Sequence, residues 1–485
     1  MAGPRDAASS PDGRASAGGP PTGSTPPVAL DPLAVFEAPT AVLEIMDTLR
    51  GAGHAAYAVG GCLRDALLGR EPADWDLTTN AAPDRIASLF PTALYENRFG
   101  TVVVRHADGA QYEVTTFRRD ATYSDFRHPD SVAFAGSIDE DLDRRDFTVN
   151  AMAWGSAPGE TVRVVDPHGG AADLGRRVLR AVGDPDRRFG EDALRMIRAV
   201  RLAATLEFEV EAATLAAVAR NAELARHVSG ERVSAELLKL LAAPRPSVGL
   251  RLMADTGLLA VVLPELDRQR GISQNKIEGE DLWDHTLRTV DAAPNRPLVR
   301  LSSLLHDVGK PDTLAEGHFI GHDRVGAEIA ARILSRLHSP RAFQERAAHL
   351  IGNHMFSYQR NWSDAAVRRF LRKVGPGAVD DLLDLRAADN VGSGLPADAG
   401  GIEELRARCA IQKAGRLVLS RQHLAIDGRD LMAELELKPG RDLGRILDEL
   451  TERVVAEPAL NEREVLMDIA RSLMMQAPLR DNPNL

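Results

Sequence analysis

The chain has 485 residues, 44% of them apolar, and a formal net charge of −11. That length exceeds a single core and predicts three or more lobes, while the acidic total argues against a surface wholly devoted to coating nucleic acid and leaves room for a local basic groove. Two cysteines, Cys62 and Cys409, exclude a disulfide framework and fit a reducing compartment, and no apolar run of about eighteen residues exists to span a membrane, so a cytoplasmic location is expected.

In chain order, residues 1–30 are dense in Gly, Pro, Ala and Ser and predict a disordered leader. "PTAVLEIMDTLRGAG" has helical spacing and ends at glycines, as a C-cap would. "AAYAVGG" reads as a short strand entering a glycine turn, and "CLRDALLG" as the helix that follows. "DWDL", "TVVVRH", "YEVTTF" and "TVRVVD" alternate or are β-branched, and predict strands. After about Asp173 long amphipathic helices take over: "EDALRMIRAVRLAATL", "EAATLAAVARNAELARHV" and "SAELLKLLAA". "EGHFIGHD" and "ADNVGSGLPADAGG" are expected loops, the second a linker near 391–401. The expected fold class is α+β: a small mixed-sheet head at 31–172, a helical neck at 173–265, a helical body at 266–400 and a helical tail at 401–485.

Within the head, Asp74 and Asp76 flank Trp75. On a strand, residues i and i+2 point the same way, so two carboxylates share one face. A bare D-x-D also suits a solvated edge strand or a capping turn, and the flanking residues decide between them. Upstream, Gly60 and Gly61 let the backbone approach a ligand, and a helix start favours phosphate, which Arg64 could grip; an Arg64–Asp65 surface pair is the plainer alternative. Downstream, Glu113, between Tyr112 and Val114, adds a third carboxylate. Hard oxygen ligands of this kind suit Mg²⁺ together with a triphosphate. "RRDFTVNAMAW" then supplies Arg144, Arg145, Asp146 and Asn150, a mixture fit to hold ribose and phosphate.

These segments resemble the class II tRNA nucleotidyltransferase and bacterial poly(A) polymerase family, whose head carries G-G-x-x-R-D, D-x-D and R-R-D-x-x-x-N. A further family segment, E-D-x-x-R, is matched by Glu191, Asp192 and Arg195, with Arg198 one turn on. The resemblance implies that Asp192 and Arg195 offer hydrogen-bond edges that select CTP or ATP in place of a template base. Read as one helix, they are i and i+3 neighbours, which also fits an ordinary salt bridge. "VSGERVSAELLKLL", with Glu231 and Arg232, matches another family segment, so the resemblance covers about 31–265. It implies catalysis by Asp74, Asp76 and Glu113, with Mg²⁺ held by Asp74 and Asp76. In a loop where the family often reads D-G-R-H-P, Phe126 stands in place of glycine, removing that residue's backbone latitude.

A second constellation lies in the body. His285, the adjacent His306 and Asp307, His322, His354 and Asp389 resemble the H…HD…H…H…D set of the HD-domain phosphohydrolases. Such ligands suit Mn, Fe, Ni or Zn and lower the pKa of a bound water; Lys310 could hold a phosphate oxygen. In some members of the tRNA family this region hydrolyses phosphoesters, and in others it is a scaffold. The expected function is therefore addition or repair of the tRNA 3′-terminal CCA from CTP and ATP. A poly(A) polymerase and a CC-only or A-only enzyme share the same head motifs. A protein uridylyltransferase with an HD hydrolase lacks R-R-D-x-x-x-N and E-D-x-x-R. Neck, body and tail are expected to grip tRNA, with arginine-rich helices such as "AAVRRFLRKVG" as candidate contacts.

Overall fold

The protein is described from a computed structural model covering residues 37–95, 100–107, 109–120, 132–274, 276–415 and 419–476. The expected leader and the loop around Phe126 lie outside the described residues.

Seven strands form the head sheet: β1 (Ala56–Val59), β2 (Asp76–Thr79), β3 (Leu94–Tyr95), β4 (Thr101–Arg105), β5 (Gln111–Thr116), β6 (Ala153–Ser156) and β7 (Arg163–Val165). Their order is β3-β4-β5-β2-β1-β6-β7, antiparallel except for the parallel β2–β5 pair. Apolar alternation sets the faces. Ala56, Ala58, Leu77, Tyr112 and Val114 pack on one side against Val42, Ile45, Met46 and Leu49 of helix Thr40–Gly51, whose spacing of three and four residues makes one apolar stripe. Burying each of those large side chains contributes about 1.5–3 kcal/mol. Asp76 and Glu113, at the alternate positions, are therefore turned to the opposite face, and they are direct register partners across β2 and β5. Strand β2 begins at Asp76, so Asp74 and Trp75 precede it rather than belonging to the expected "DWDL" strand.

The "EDALRMIRAVRLAATL" segment is not one helix. Helix Pro185–Glu191 ends, Asp192 takes an extended conformation (φ −145°, ψ 105°), and a second helix runs from Leu194 to Leu206. The Asp192 carboxylate accepts from the Leu194 N–H at 3.1 Å, satisfying one of the donors that every helix start exposes. "EAATLAAVARNAELARHV" likewise divides into helix Ala212–Asn221 and a 3₁₀ turn over Ala222–His227, and His318–Phe319 of the expected "EGHFIGHD" loop pair with Leu314–Ala315, just before it, as a short hairpin.

One continuous core runs from part of the head through neck and body, from Leu63 to Cys409, whereas Ile426 to Leu473 build a separate tail core. Arg368, in helix Asp364–Val374, joins the two. It is 8% exposed and donates to Val455 O at 2.6 Å, Ala456 O at 2.7 Å and Gln412 Oε1 at 2.7 Å. The first two are orphan carbonyls at the end of tail helix Arg441–Ala456. Arg369 and Arg372 pair with Glu452 on the same helix. These three arginines of the expected RNA-contacting segment are thus engaged in docking the tail. Replacing Arg368 by alanine leaves buried acceptors unsatisfied and should cost about 2–4 kcal/mol. Urea unfolding should register that loss, and amide exchange should accelerate in helix Arg441–Ala456 while the head sheet keeps its protection.

Candidate functional site

Asp76 and Glu113 lie on neighbouring central strands, on the face left free by the apolar alternation, and Asp74, just before β2, is near enough for its charge to act on Asp76. Asp76 is open to solvent on one side. The protein crowding its other side raises its carboxyl above the ordinary aspartate value; Arg145 opposes this rise and the charge of Asp74 adds to it. A carboxylate disfavoured by its surroundings and by a like charge is one that a cation would relieve. This three-carboxylate oxygen set, with its neighbouring charge, fits a hard divalent ion.

Beside it is a chain of buried polar contacts. Gly60 (φ +80°) ends β1 and caps helix Gly61–Leu67. Its positive φ favours glycine, and a Cβ there would displace the tip of Arg145, whose Nη1 would lie 2.7 Å away. Arg64 grips Asp65 with two bonds, at 2.9 and 2.7 Å, and donates to Asn150 Oδ1 at 2.7 Å. The plainer Arg64–Asp65 pair and the link to R-R-D-x-x-x-N thus coexist. Asn150 donates to Asp146 Oδ1 at 3.2 Å, and Asp146 Oδ2 accepts from Arg198 Nε at 2.8 Å. Burial opposes ionisation of Asp146, but the Arg198 charge and hydrogen bond outweigh it and hold the carboxyl well below the usual range. Arg198 in turn faces Glu236 at 3.6 Å, and Glu236 accepts from Arg201 at 2.8 Å.

Arg144 and Arg145 both reach Asp141, which is fully buried; burial pushes its carboxyl up, and the two arginines bring it down below the ordinary value. Sequence reading passed over Asp141 and Glu236. Only the i, i+3 and i, i+4 spacing of Asp141 to the two arginines could have indicated the first. Asp192 and Arg195 are not paired with each other. Arg232 clamps Asp192 with two bonds, 3.2 and 2.7 Å, across 40 residues of chain. Arg195 donates to Glu191 Oε2 (2.7 Å), Arg188 O (3.0 Å) and Arg144 O (2.9 Å). The break at Asp192 explains the change of partner: leaving the helix turns its side chain away from the i+3 position.

The second constellation assembles in the body. His285 sits in helix Leu282–Ala292, His306 and Asp307 at the end of Pro297–Leu305, His322 at the start of His322–Arg336, His354 just after Arg341–Asn353, and Asp389 in Val379–Gly392. All six are buried. His285 Nε2 lies 3.3 Å from both Asp307 Oδ2 and Asp389 Oδ1, and the two groups of potential metal ligands found among the described residues both contain Asp307. His306, His322 and His354 each donate Nδ1 to the carbonyl three residues earlier, Ser303, Phe319 and Ile351, at 2.7–2.8 Å. That bond sets the tautomer and turns Nε2 inward. His322 Nε2 is buried without a hydrogen-bond partner.

Burial would lower the pKa of His285, but Asp307 and Asp389 outweigh it and raise it; burial and the nearby His306 push His354 down to about 4. Asp307, despite complete burial, is held well below the carboxylate range by His306 and Lys310. Lys310 Nζ is 2.6 Å from Asp307. Lys276 and Arg386, not foreseen from the sequence, join Lys310 around a cavity of about 630 Å³ that opens onto the cluster. A buried set of imidazoles and carboxylates, with an orphaned inward nitrogen, fits a transition-metal ion.

Three family models match the chain: "Poly A polymerase head domain" at residues 56–180, "Probable RNA and SrmB- binding site of polymerase A" at 207–270, and "tRNA nucleotidyltransferase domain 2 putative" at 323–470. The CCA-adding enzyme of Geobacillus kaustophilus is 35% identical over 431 residues, covering 87% of this chain and 94% of that one. That of Levilactobacillus brevis is 35% identical over 437 residues, covering 87% and 95%. The crystal structure of the Bacillus stearothermophilus CCA-adding enzyme in complex with CTP matches with a TM-score of 0.69 at 30% identity, over 90% of this chain and 98% of that one. The Thermotoga maritima CCA-adding enzyme complexed with tRNA shares the fold, with a TM-score of 0.55 at 20% identity over 89% and 94%. The chain belongs to the CCA-adding enzyme family. No helix among the described residues is long and apolar enough to cross a membrane.

Because Asp146 titrates lower folded than unfolded, it contributes stability that is present above the unfolded value, about pH 4, and is lost as pH falls towards the folded one. Asp146→Asn should therefore be less stable than the parent by a constant margin above about pH 5. That margin should shrink below about pH 4, as read from urea midpoints at a series of pH values.

Proposed function

We propose that the chain adds or repairs the tRNA 3′-terminal CCA from CTP and ATP without a nucleic-acid template. The observation that carries this reading is the pairing of Asp76 with Glu113 on one face, with the Asp74 charge beside them and the Arg64–Asn150–Asp146–Arg198 chain adjoining, in a protein 35% identical to CCA-adding enzymes over nearly their whole length. The acceptor's 3′-hydroxyl attacks the α-phosphate of the nucleotide and pyrophosphate leaves. Asp74 and Asp76 would hold Mg²⁺, which when bound neutralises triphosphate charge and orients the reacting oxygens. Gly60 and Gly61 bring backbone close to the nucleotide, and Arg64, Arg144 and Asn150 hold phosphate and ribose. The division into head (31–172), neck (173–265), body (266–400) and tail (401–485) belongs to the same reading, with neck, body and tail gripping the tRNA.

Asp192 and Arg195 choose the base. Their existing bonds leave the needed capacity. Asp192 Oδ2 accepts one bond from Arg232, so a lone pair remains for an exocyclic amine. Arg195 uses three of its five donors on protein, leaving Nε–H and one Nη2 hydrogen for ring nitrogens or carbonyls. Both groups are braced before a nucleotide arrives, which favours selection by geometry.

The test is extension of tRNAs ending before CCA, after C and after CC, with CTP and ATP separately and together. Two C followed by one A, then a stop, is expected. Asp74→Ala or Asp76→Ala should lower the rate roughly 10²–10³-fold or more. Long A tails on unrelated RNA would overturn the reading in favour of a poly(A) polymerase; A on CC ends alone would mean a restricted enzyme. Arg232→Ala should leave catalysis of the correct nucleotide largely intact and reduce discrimination against UTP and GTP roughly 10- to 100-fold, measured as the ratio of kcat/KM values.

The converged His–Asp cluster favours a second activity, metal-dependent hydrolysis of phosphoesters in the body. His285, His306, Asp307, His322, His354 and Asp389 would hold Mn, Fe, Ni or Zn, which when bound supplies a water of lowered pKa. Lys276, Lys310 and Arg386 provide positive charge for the phosphate. Bis-(p-nitrophenyl) phosphate should be hydrolysed by the Mn²⁺-loaded protein. His306→Ala should abolish that activity and leave CCA addition intact. An unchanged rate in His306→Ala would refute this activity.

A further inference from the structure

We infer that Asp141 is a positioning residue for nucleotidyl transfer, which fixes the attitude of Arg145 at the nucleotide site without touching the nucleotide; this rests on the CCA-addition reading above. Helix Ile138–Asp143 turns Ile138, Asp141 and Leu142 inward, and the two apolar side chains join a core with Tyr57, Phe117 and Val165. An apolar residue at 141 would fill that place without the cost of stripping a carboxylate of water. Asp141 is instead a divided anchor. Its Oδ1 accepts from Arg144 Nε at 3.1 Å and Nη2 at 2.7 Å, and from the Arg118 N–H at 3.4 Å. Those bonds fix the plane of the carboxylate and leave Oδ2 to accept from Arg145 Nη2 at 3.3 Å. The spacing of three and four residues lets one acid reach both arginines.

The other side of the Arg145 guanidinium is at the site. Nη1 reaches Asn150 O at 3.5 Å and lies 2.7 Å from where a Gly60 Cβ would stand, so the group rests against the glycine turn. Its charge also acts on Asp76. Asp141 is fully buried while Arg145 keeps 19% of its side chain exposed, so a ligand can touch the arginine and not the aspartate. Of the five Arg145 donors, one goes to Asp141 and one to Asn150, and Nε is buried without a hydrogen-bond partner; one hydrogen on each Nη remains. Held at Nη2 and confined at Nη1, the planar group presents those two hydrogens in a fixed direction. Without the carboxylate, a long side chain regains its rotamers, and the adjacent Arg144 charge repels it. Stability alone would not require the acid, because a buried set of ion pairs and its apolar replacement are often equivalent.

The experiment measures steady-state addition of one C to tRNA ending before CCA by the full-length chain. Asp141→Asn keeps the shape and one acceptor for Arg144 and Arg118, but turns an N–H₂ towards Arg145, so donor meets donor. It should raise the KM for CTP and lower kcat/KM about 10- to 100-fold. Asp141→Leu, which fills the core without charge, should fold and show the same loss; circular dichroism and gel retardation of tRNA report on the fold of each variant. Arg145→Ala should lose at least as much, and adding Asp141→Asn to it should cost nothing further, because a residue that acts through Arg145 then has nothing to act on. Losses that multiply in the double variant would overturn the inference. Parent rates in both Asp141 variants would do the same, as would a KM for CTP that falls because a released arginine binds triphosphate better. A parent that adds no C would remove the CCA-addition reading and the inference with it.

Discussion

A carboxylate enclosed by protein must be paired or give up its charge, and Asp146 is paired so thoroughly that it holds two parts of the chain together. It accepts from Asn150 on its own segment and from Arg198 on helix Leu194–Leu206. Through Asn150 it reaches Arg64 at the glycine turn, and through Arg198 it reaches Glu236 on helix Gly230–Leu241. Removing one partner of such a pair costs about 3–5 kcal/mol, whereas a hydrophobic replacement of the whole set can be neutral. Net stability alone therefore does not account for the network. Its service is positional: the glycine turn at Gly60 and helix Leu194–Leu206 are held in one frame.

The head was legible in the sequence because its signals are local. Alternation in "YEVTTF" and the apolar stripe of helix Thr40–Gly51 dictate which face is buried, and the carboxylates follow to the other. Strand β6 went unread because Ala153–Ser156 is only four residues long and three of them, Ala153, Gly155 and Ser156, are poor strand formers without alternation. The break at Asp192 was illegible for a different reason. Helical spacing continues across it, and only a long-range partner, Arg232, pulls the side chain out of register. The His–Asp set was readable as a list of residue types. That the six side chains converge depends on five helices meeting, which spacing along the chain does not encode.

Arginine shows how composition misleads. The helix "DAAVRRFLRKV" has the look of a surface for RNA, yet Arg368 is buried and closes the end of a tail helix, and its neighbours pair with Glu452. A planar guanidinium with five donors can satisfy two carbonyls and an amide at once, which lysine cannot. Basic residues at a junction between two cores are thus as much a structural resource as a nucleic-acid one.

The three inward-facing histidines of the body have a property that bears on how the site can change over generations. Each imidazole is oriented by a main-chain carbonyl three residues before it, in its own turn. Main-chain oxygens are present whatever residue occupies the position. Substitution at Ser303, Phe319 or Ile351 therefore need not disturb which nitrogen points into the cluster, whereas a carboxylate partner would have to be retained residue by residue. Imidazole orientation here is insulated from drift in the surrounding sequence, and the neighbourhood is free to diverge while the six clustered side chains stay in place.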